Sequence, residues 1–177
     1  MKRLKGEASE ILTALQREHT QVQNDTLEVE AQVETIIKEV AQYGDQALRR
    51  YSSQFDHVEL TELEVSKDTI EQGYIRVEKE VIDSLKKAKE NIISYHEKQK
   101  QSNFMDSEKS GVIRGQLVLP LERVGVYVPG GTAAYPSSVL MNVLPAKIAG
   151  VKEIIMVTPP TSSGIPDVIL AAAKIAG

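Results

Sequence analysis

The residues best suited to chemistry lie around Pro129-Gly130-Gly131-Thr132, with Tyr127 just before them and Tyr135 just beyond. Two adjacent glycines let a backbone approach a ligand closely, and a helix beginning near Pro136 can turn its N-terminal amides toward an anionic group. The stretch is neither G-x-G-x-x-G nor a Walker A loop, since no lysine follows the glycines. Gly130 and Gly131 therefore have two readings: a strand-to-helix turn that needs positive φ, or a backbone cradle in contact with a ligand. The same choice stays open at Tyr127 and Tyr135. Each can be a core aromatic with a satisfied hydroxyl or a ring that stacks on a ligand.

Other chemistry is sparse. The histidines are His19, His57 and His96, too far apart in sequence to form a local metal pair, and His96-Glu97 lacks the second histidine of a zincin helix. They read as solvated or partly packed surface residues. The absence of cysteine excludes disulfides, thiolate zinc sites, iron–sulfur clusters and cysteine nucleophiles together. No catalytic residue and no metal ligand is identified within residues 1–177.

The chain has 177 residues, a formal net charge of −4 and a pI near 5.5. That balance favours neither a nucleic-acid backbone nor an anionic membrane. MKRLKGEASE has basic residues but no apolar run behind them, so a secretory signal is not expected. No apolar run reaches the roughly 18 residues of a membrane span. A soluble cytoplasmic protein is the expectation.

The elements that must position the glycine loop follow from a shift along the chain. All seven prolines lie at or after Pro120. The charged residues after Leu121 are only Glu122, Arg123, Lys147, Lys152, Glu153, Asp167 and Lys174. The first part reads as helical. Val29, Val33, Ile36, Ile37, Val40 and Ala41 form a stripe at helical spacing that stops at Gly44, and Asp45 can cap a following helix carrying Ala47, Leu48, Tyr51 and Phe55. Ser66 precedes a short helix ending near Gly73. Val77, Val81, Leu85, Ala88 and Ile92 mark a longer one reaching about Gln101. Residues 1–28 are polar and weakly periodic.

The later part changes period. Strands are expected over Val112–Leu119 and Arg123–Val128, then a helix over Pro136–Ala149. A strand over Glu153–Thr158, apolar enough to be buried on both faces, is followed by a helix over Ile165–Ala176. The fold class is α/β: a mainly helical region over 1–110, then a partial α/β nucleotide-binding domain over 111–177 that begins a doubly wound parallel sheet. Ligands of such sheets sit outside the carboxyl ends of the strands, where the Pro129–Tyr135 loop falls.

ERVGVYVPGGTAAYPSSVLMNVLPAKIAGVKEIIMVTPP, Glu122 to Pro160, closely resembles the stretch that identifies histidinol dehydrogenases. VETIIKEVAQYGDQALRRYSSQFD (Val33–Asp56) and ENIISYHEKQ (Glu90–Gln99) look like the helical region of the same family. The resemblance runs from about Val29 to Gly177. It implies a Rossmann-like, aldehyde-dehydrogenase-like fold and an NAD- and zinc-dependent enzyme of histidine biosynthesis. Such an enzyme oxidises L-histidinol through L-histidinaldehyde to L-histidine, and works as a homodimer with sites completed across the subunit interface. The family's NAD-contacting tyrosine maps onto Tyr127. Gly130 and Gly131 join it as cofactor-binding candidates from the backbone argument above.

The family's glutamate–histidine pair for proton transfer and its zinc ligands fall beyond residue 177. Hydride removal from an alcohol needs a base for its proton and a Lewis acid or equivalent for the alkoxide, and neither is identified here. The expectation is therefore an N-terminal portion that carries part of a cofactor site and is inactive alone. The alternative from another class is a stand-alone helical interaction module with a degenerate α/β appendage.

Overall fold

The computed structural model describes residues 6–107, 111–130 and 133–177, and in its first helix it describes side chains at 8, 9, 11 and 12 and from 26 onward. Packing divides the chain into two compact units, Met1–Tyr51 and Ser52–Gly177.

The first unit consists of two helices, α1 (Ala8–Tyr43) and α2 (Asp45–Tyr51). The apolar stripe predicts a helix from Val29, but α1 continues back through polar sequence to Ala8. Its 36 residues span about 54 Å at a rise of ~1.5 Å each. Gly44 ends it as expected: φ is +53°, and its N–H reaches the Val40 carbonyl at 2.8 Å. Of the stripe, Ile36 and Val40 are half-buried, whereas Val33 and Ile37 are exposed. The Glu39 carboxylate accepts hydrogen bonds from both the Arg50 guanidinium and the Tyr51 hydroxyl, tying α2 to the end of α1. The bond to Glu39, more than burial, raises the pKa of Tyr51 above the ordinary tyrosine value.

The second unit opens with a π-helical turn over Ser52–Asp56, which takes in Phe55, and His57 follows at φ +56°. Ser66 caps α3 (Lys67–Arg76) by accepting the Thr69 N–H on its hydroxyl at 3.1 Å. α4 runs Lys79–Glu97, four residues short of the expected end. Its buried positions are Ile82 and Leu85, with Ala88, Ile92 and Ile93 packed beside them, while Val81 lies at the exposed margin.

Strand β1 (Phe104–Asp106) pairs antiparallel with β2 (Arg114–Gln116). The sequence pattern predicts one strand over Val112–Leu119 and no β1. The ladder covers only the three residues that face a partner, and Ile113, Leu117 and Leu119 on either side remain exposed.

Strand β3 (Arg123–Tyr127) lies parallel to β4 (Glu153–Val157), in register from Arg123 opposite Glu153 to Tyr127 opposite Val157. Helix α5 (Pro136–Ile148) joins them, and α6 (Asp167–Ala176) follows β4. Val126, Ile154 and Met156 face a core built from Val139, Leu140, Val143 and Leu144 of α5, Ile169, Ala172 and Ile175 of α6, and Ile82 and Leu85 of α4. The opposite face, with Gly125, Tyr127, Ile155 and Val157, is exposed. β4 is therefore covered on one face rather than on both, since among the described residues no helix packs on the Ile155 side.

The change in composition near residue 110 and the division of packing at 51/52 fall at different places. The physical reason is that α3 and α4 bury their apolar sides against α5 and α6 and so share one core with the sheet. Gly73 shows how close that packing is: a β-carbon there would lie 2.6 Å from Leu170 Cδ1. Arg76 and Asp167 join the end of α3 to the start of α6 through two hydrogen bonds of 2.8 and 2.5 Å. That pairing lowers the Asp167 pKa and raises that of Arg76. The last carbonyls of α6 receive lysines from its neighbours: Lys89 Nζ donates to Ile175 at 2.6 Å and Lys147 Nζ to Ala176 at 3.0 Å. The whole is a helical segment followed by an incomplete Rossmann-like α/β unit.

Candidate functional site

The parallel pairing of β3 and β4 brings both carboxyl ends to the same edge. Val128 extends the ladder by one bond, its N–H donating to the Val157 carbonyl at 2.9 Å, and its side chain is fully buried. The next rung would need an amide proton from Pro159, which has none, so the ladder ends at this point. Pro129-Gly130 leaves on one side of the opening and Thr158-Pro159 on the other.

Gly130 lies against Pro159: a β-carbon on it would meet Pro159 Cδ at 3.3 Å and Cγ at 3.5 Å. Gly130 is not among the glycines with positive φ, so the turn reading fails at this position and close approach explains the residue. Gly131, the third cofactor-binding candidate, lies outside the described residues. Tyr127 is 60% exposed on the open face of the sheet, opposite Val157 and on the same face as Gly125 and Ile155. That removes the core-aromatic reading for Tyr127 in this chain. Tyr135 is 41% exposed and precedes Pro136 at the start of α5, whose first turn has no side-chain cap.

The site is electrically neutral along the chain, with no charged residue between Arg123 and Lys147. Arg123 itself pairs with Glu153 at the opposite, amino end of the strands, at 2.6 Å. An aromatic face, a backbone free of side chains at Gly130 and an uncapped helix start fit one part of a dinucleotide. They contain no acid or base suited to moving a proton.

Among the described residues no group of three or more histidine, aspartate or glutamate side chains is placed to hold a metal ion. His96 shares a hydrogen bond with Gln99 at 2.7 Å, and the side chain of His19 lies outside the described residues. The described residues offer no set of ligands that fits zinc.

Two contributors to the strand ends carry no motif. Pro159 belongs to the loop after the second strand and becomes a neighbour only once the strands are parallel and in register. Asn142 donates its Nδ2 proton to the Tyr127 carbonyl at 3.3 Å. A single amide inside the apolar run Val139-Leu140-Met141-Asn142-Val143-Leu144 is the signal that points to it.

Comparison with known proteins agrees with the residues quoted above. The family model described as histidinol dehydrogenase matches residues 18–177. Histidinol dehydrogenase of Streptococcus mutans is 55% identical over all 177 residues, which cover 41% of that protein. The Listeria monocytogenes protein of the same name is 56% identical over the same span, again 41% of its length. A crystal structure of histidinol dehydrogenase from Elizabethkingia anophelis superposes with a TM-score of 0.80 at 35% identity, covering 84% of this chain and 35% of that one. The chain thus spans about two fifths of the length of the curated relatives it matches. With the matched model covering all but its first 17 residues, the chain belongs to the histidinol dehydrogenase family.

Proposed function

We propose that this chain supplies one wall of the NAD site in a cytoplasmic, homodimeric histidinol dehydrogenase of histidine biosynthesis. The overall reaction converts L-histidinol, two NAD and one water into L-histidine, two NADH and three protons, by way of L-histidinaldehyde. The observation that carries the proposal is the exposed Tyr127 at the carboxyl end of β3, three residues before Gly130. NAD, when bound, accepts the hydride at each oxidation. Tyr127 offers its ring face, Gly130 lets the backbone close in, and Gly131 joins them as a cofactor-binding candidate from its place in the sequence.

Zinc and the proton-transferring groups belong to sequence beyond Gly177, and no step is assigned to residues 1–177. The composition boundary at 110/111 then marks the start of the nucleotide-binding domain in the complete protein. A separate helical interaction module gains no support, since α3 and α4 share a core with the α/β elements.

The test is Tyr127→Ala in the complete-length protein. Loss of one aromatic contact costs about 1 kcal/mol, by analogy with aromatic pairs. NAD affinity by calorimetry should fall about fivefold while zinc content stays at the wild-type level. Unaltered NAD affinity would remove Tyr127 from the site.

A further inference from the structure

The peptide linking Tyr127 to Val128 is held at both ends. Its N–H, on Val128, donates to the Val157 carbonyl at 2.9 Å. Because consecutive residues of a strand turn their polar groups to opposite edges, its carbonyl, on Tyr127, faces away from β4 and has no ladder partner there. That carbonyl accepts the Asn142 side-chain amide at 3.3 Å.

Asn142 is well placed to act as a fixed support. It is itself exposed, yet it sits on α5 between Val139-Leu140 and Val143-Leu144, all buried in the core. The helix backbone at 142 is therefore anchored from the opposite side. The supported peptide sets ψ of Tyr127 and φ of Val128. Those two angles aim the strand end and the departure of Pro129-Gly130.

We propose that Asn142 is a positioning residue for the dinucleotide site, fixing the Tyr127–Val128 peptide so that the tyrosine ring and the Gly130 backbone face the same ligand. The inference rests on the NAD reading given above and deepens it. Asn142 needs no contact with the cofactor. It acts through the backbone that bears the contacting groups.

The experiment compares Asn142→Asp, Asn142→Gln and Tyr127→Ala in the complete-length protein. Aspartate keeps the shape and replaces the donor with an acceptor that repels the carbonyl; glutamine keeps the donor. Loss of one neutral hydrogen bond corresponds to a change of about threefold to tenfold. Asn142→Asp should weaken NAD binding and raise KM for NAD by that factor. KM for L-histidinol should stay at its wild-type value, the melting temperature should fall by no more than the few degrees one neutral hydrogen bond supplies, and the Val128 amide proton should exchange faster. Asn142→Gln should restore NAD affinity to within about twofold.

If Tyr127→Ala weakens NAD binding and Asn142→Asp does not, the positioning role is wrong while the site stands. If neither variant affects NAD, the strand-end reading itself fails. A fall in melting temperature with both substrates affected equally would make Asn142 a structural residue only, and so would overturn the proposal.

Discussion

Replacing Gly73 with alanine probes the contact between α3 and α6 that joins the helical layer to the sheet. The added β-carbon would lie 2.6 Å from Leu170 Cδ1, 2.7 Å from Leu170 Cβ and 3.2 Å from Leu170 Cγ. Carbon atoms pack at about 3.5–4.0 Å, so two of these contacts overlap by roughly 1 Å. One of the two is with a Cβ, which moves only with the backbone of α6. Leu170 is 3% exposed and has no solvent to swing into. Overpacking of this kind costs about 1–3 kcal/mol. Alanine's helix propensity exceeds that of glycine by about 1 kcal/mol and works in the opposite direction.

The net expectation is a loss of about 1 kcal/mol in unfolding free energy, since the mean overpacking cost exceeds the propensity gain. Gly125→Ala serves as the control, because a β-carbon there meets nothing within 4 Å. The chain has no tryptophan, so urea unfolding is followed by far-ultraviolet circular dichroism, with the midpoint compared at constant slope. In a Leu170→Ala background the Cδ1 and Cγ contacts disappear and α6 has room to shift. The Gly73→Ala cost should then shrink by at least about 0.5 kcal/mol. Stabilisation by Gly73→Ala in the wild-type background, or an identical effect in both backgrounds, would refute the argued contact.

The Arg76 hydrogen bonds lower the pKa of Asp167, so its contribution to stability is complete above the unfolded carboxylate value near pH ~4 and is lost as pH falls through the lower folded value. Asp167→Asn should flatten the acid limb of a stability–pH curve below about pH 4, and parallel curves for the two proteins would remove the link. Gly130→Ala adds a methyl 3.3 Å from the constrained ring of Pro159, so one loop must shift by a few tenths of an ångström. Its melting temperature should change little, whereas NAD affinity of the complete-length protein should drop; unchanged affinity would separate Gly130 from the site.

Three helix boundaries were legible in the sequence because they depend on local chemistry. Gly44 stops α1 through a positive φ and a bond to Val40, Ser66 caps α3, and Pro136 opens α5, each where the residue type alone placed it. The strands Arg123–Tyr127 and Glu153–Val157 were legible as apolar runs between turn residues, and the family was legible in Glu122–Pro160. Lengths and partners were less so. The start of α1, the trimmed strand at Arg114–Gln116 and the unexpected β1 all depend on what each segment lies beside.

The sequence by itself determined the family and the order of elements from Arg123 onward, since these rest on residue type and spacing along one chain. Tertiary structure alone decided that Tyr127 is exposed rather than buried, because alternation along β3 assigns faces only once one face has been covered by α5. It alone gave Gly130 its reason, a proline 29 positions later that parallel register brings within contact. Asn142 acquired its partner in the same way. Its amide and the Tyr127 carbonyl are 15 residues apart in sequence, and only the packing of α5 against the sheet sets them at hydrogen-bond distance.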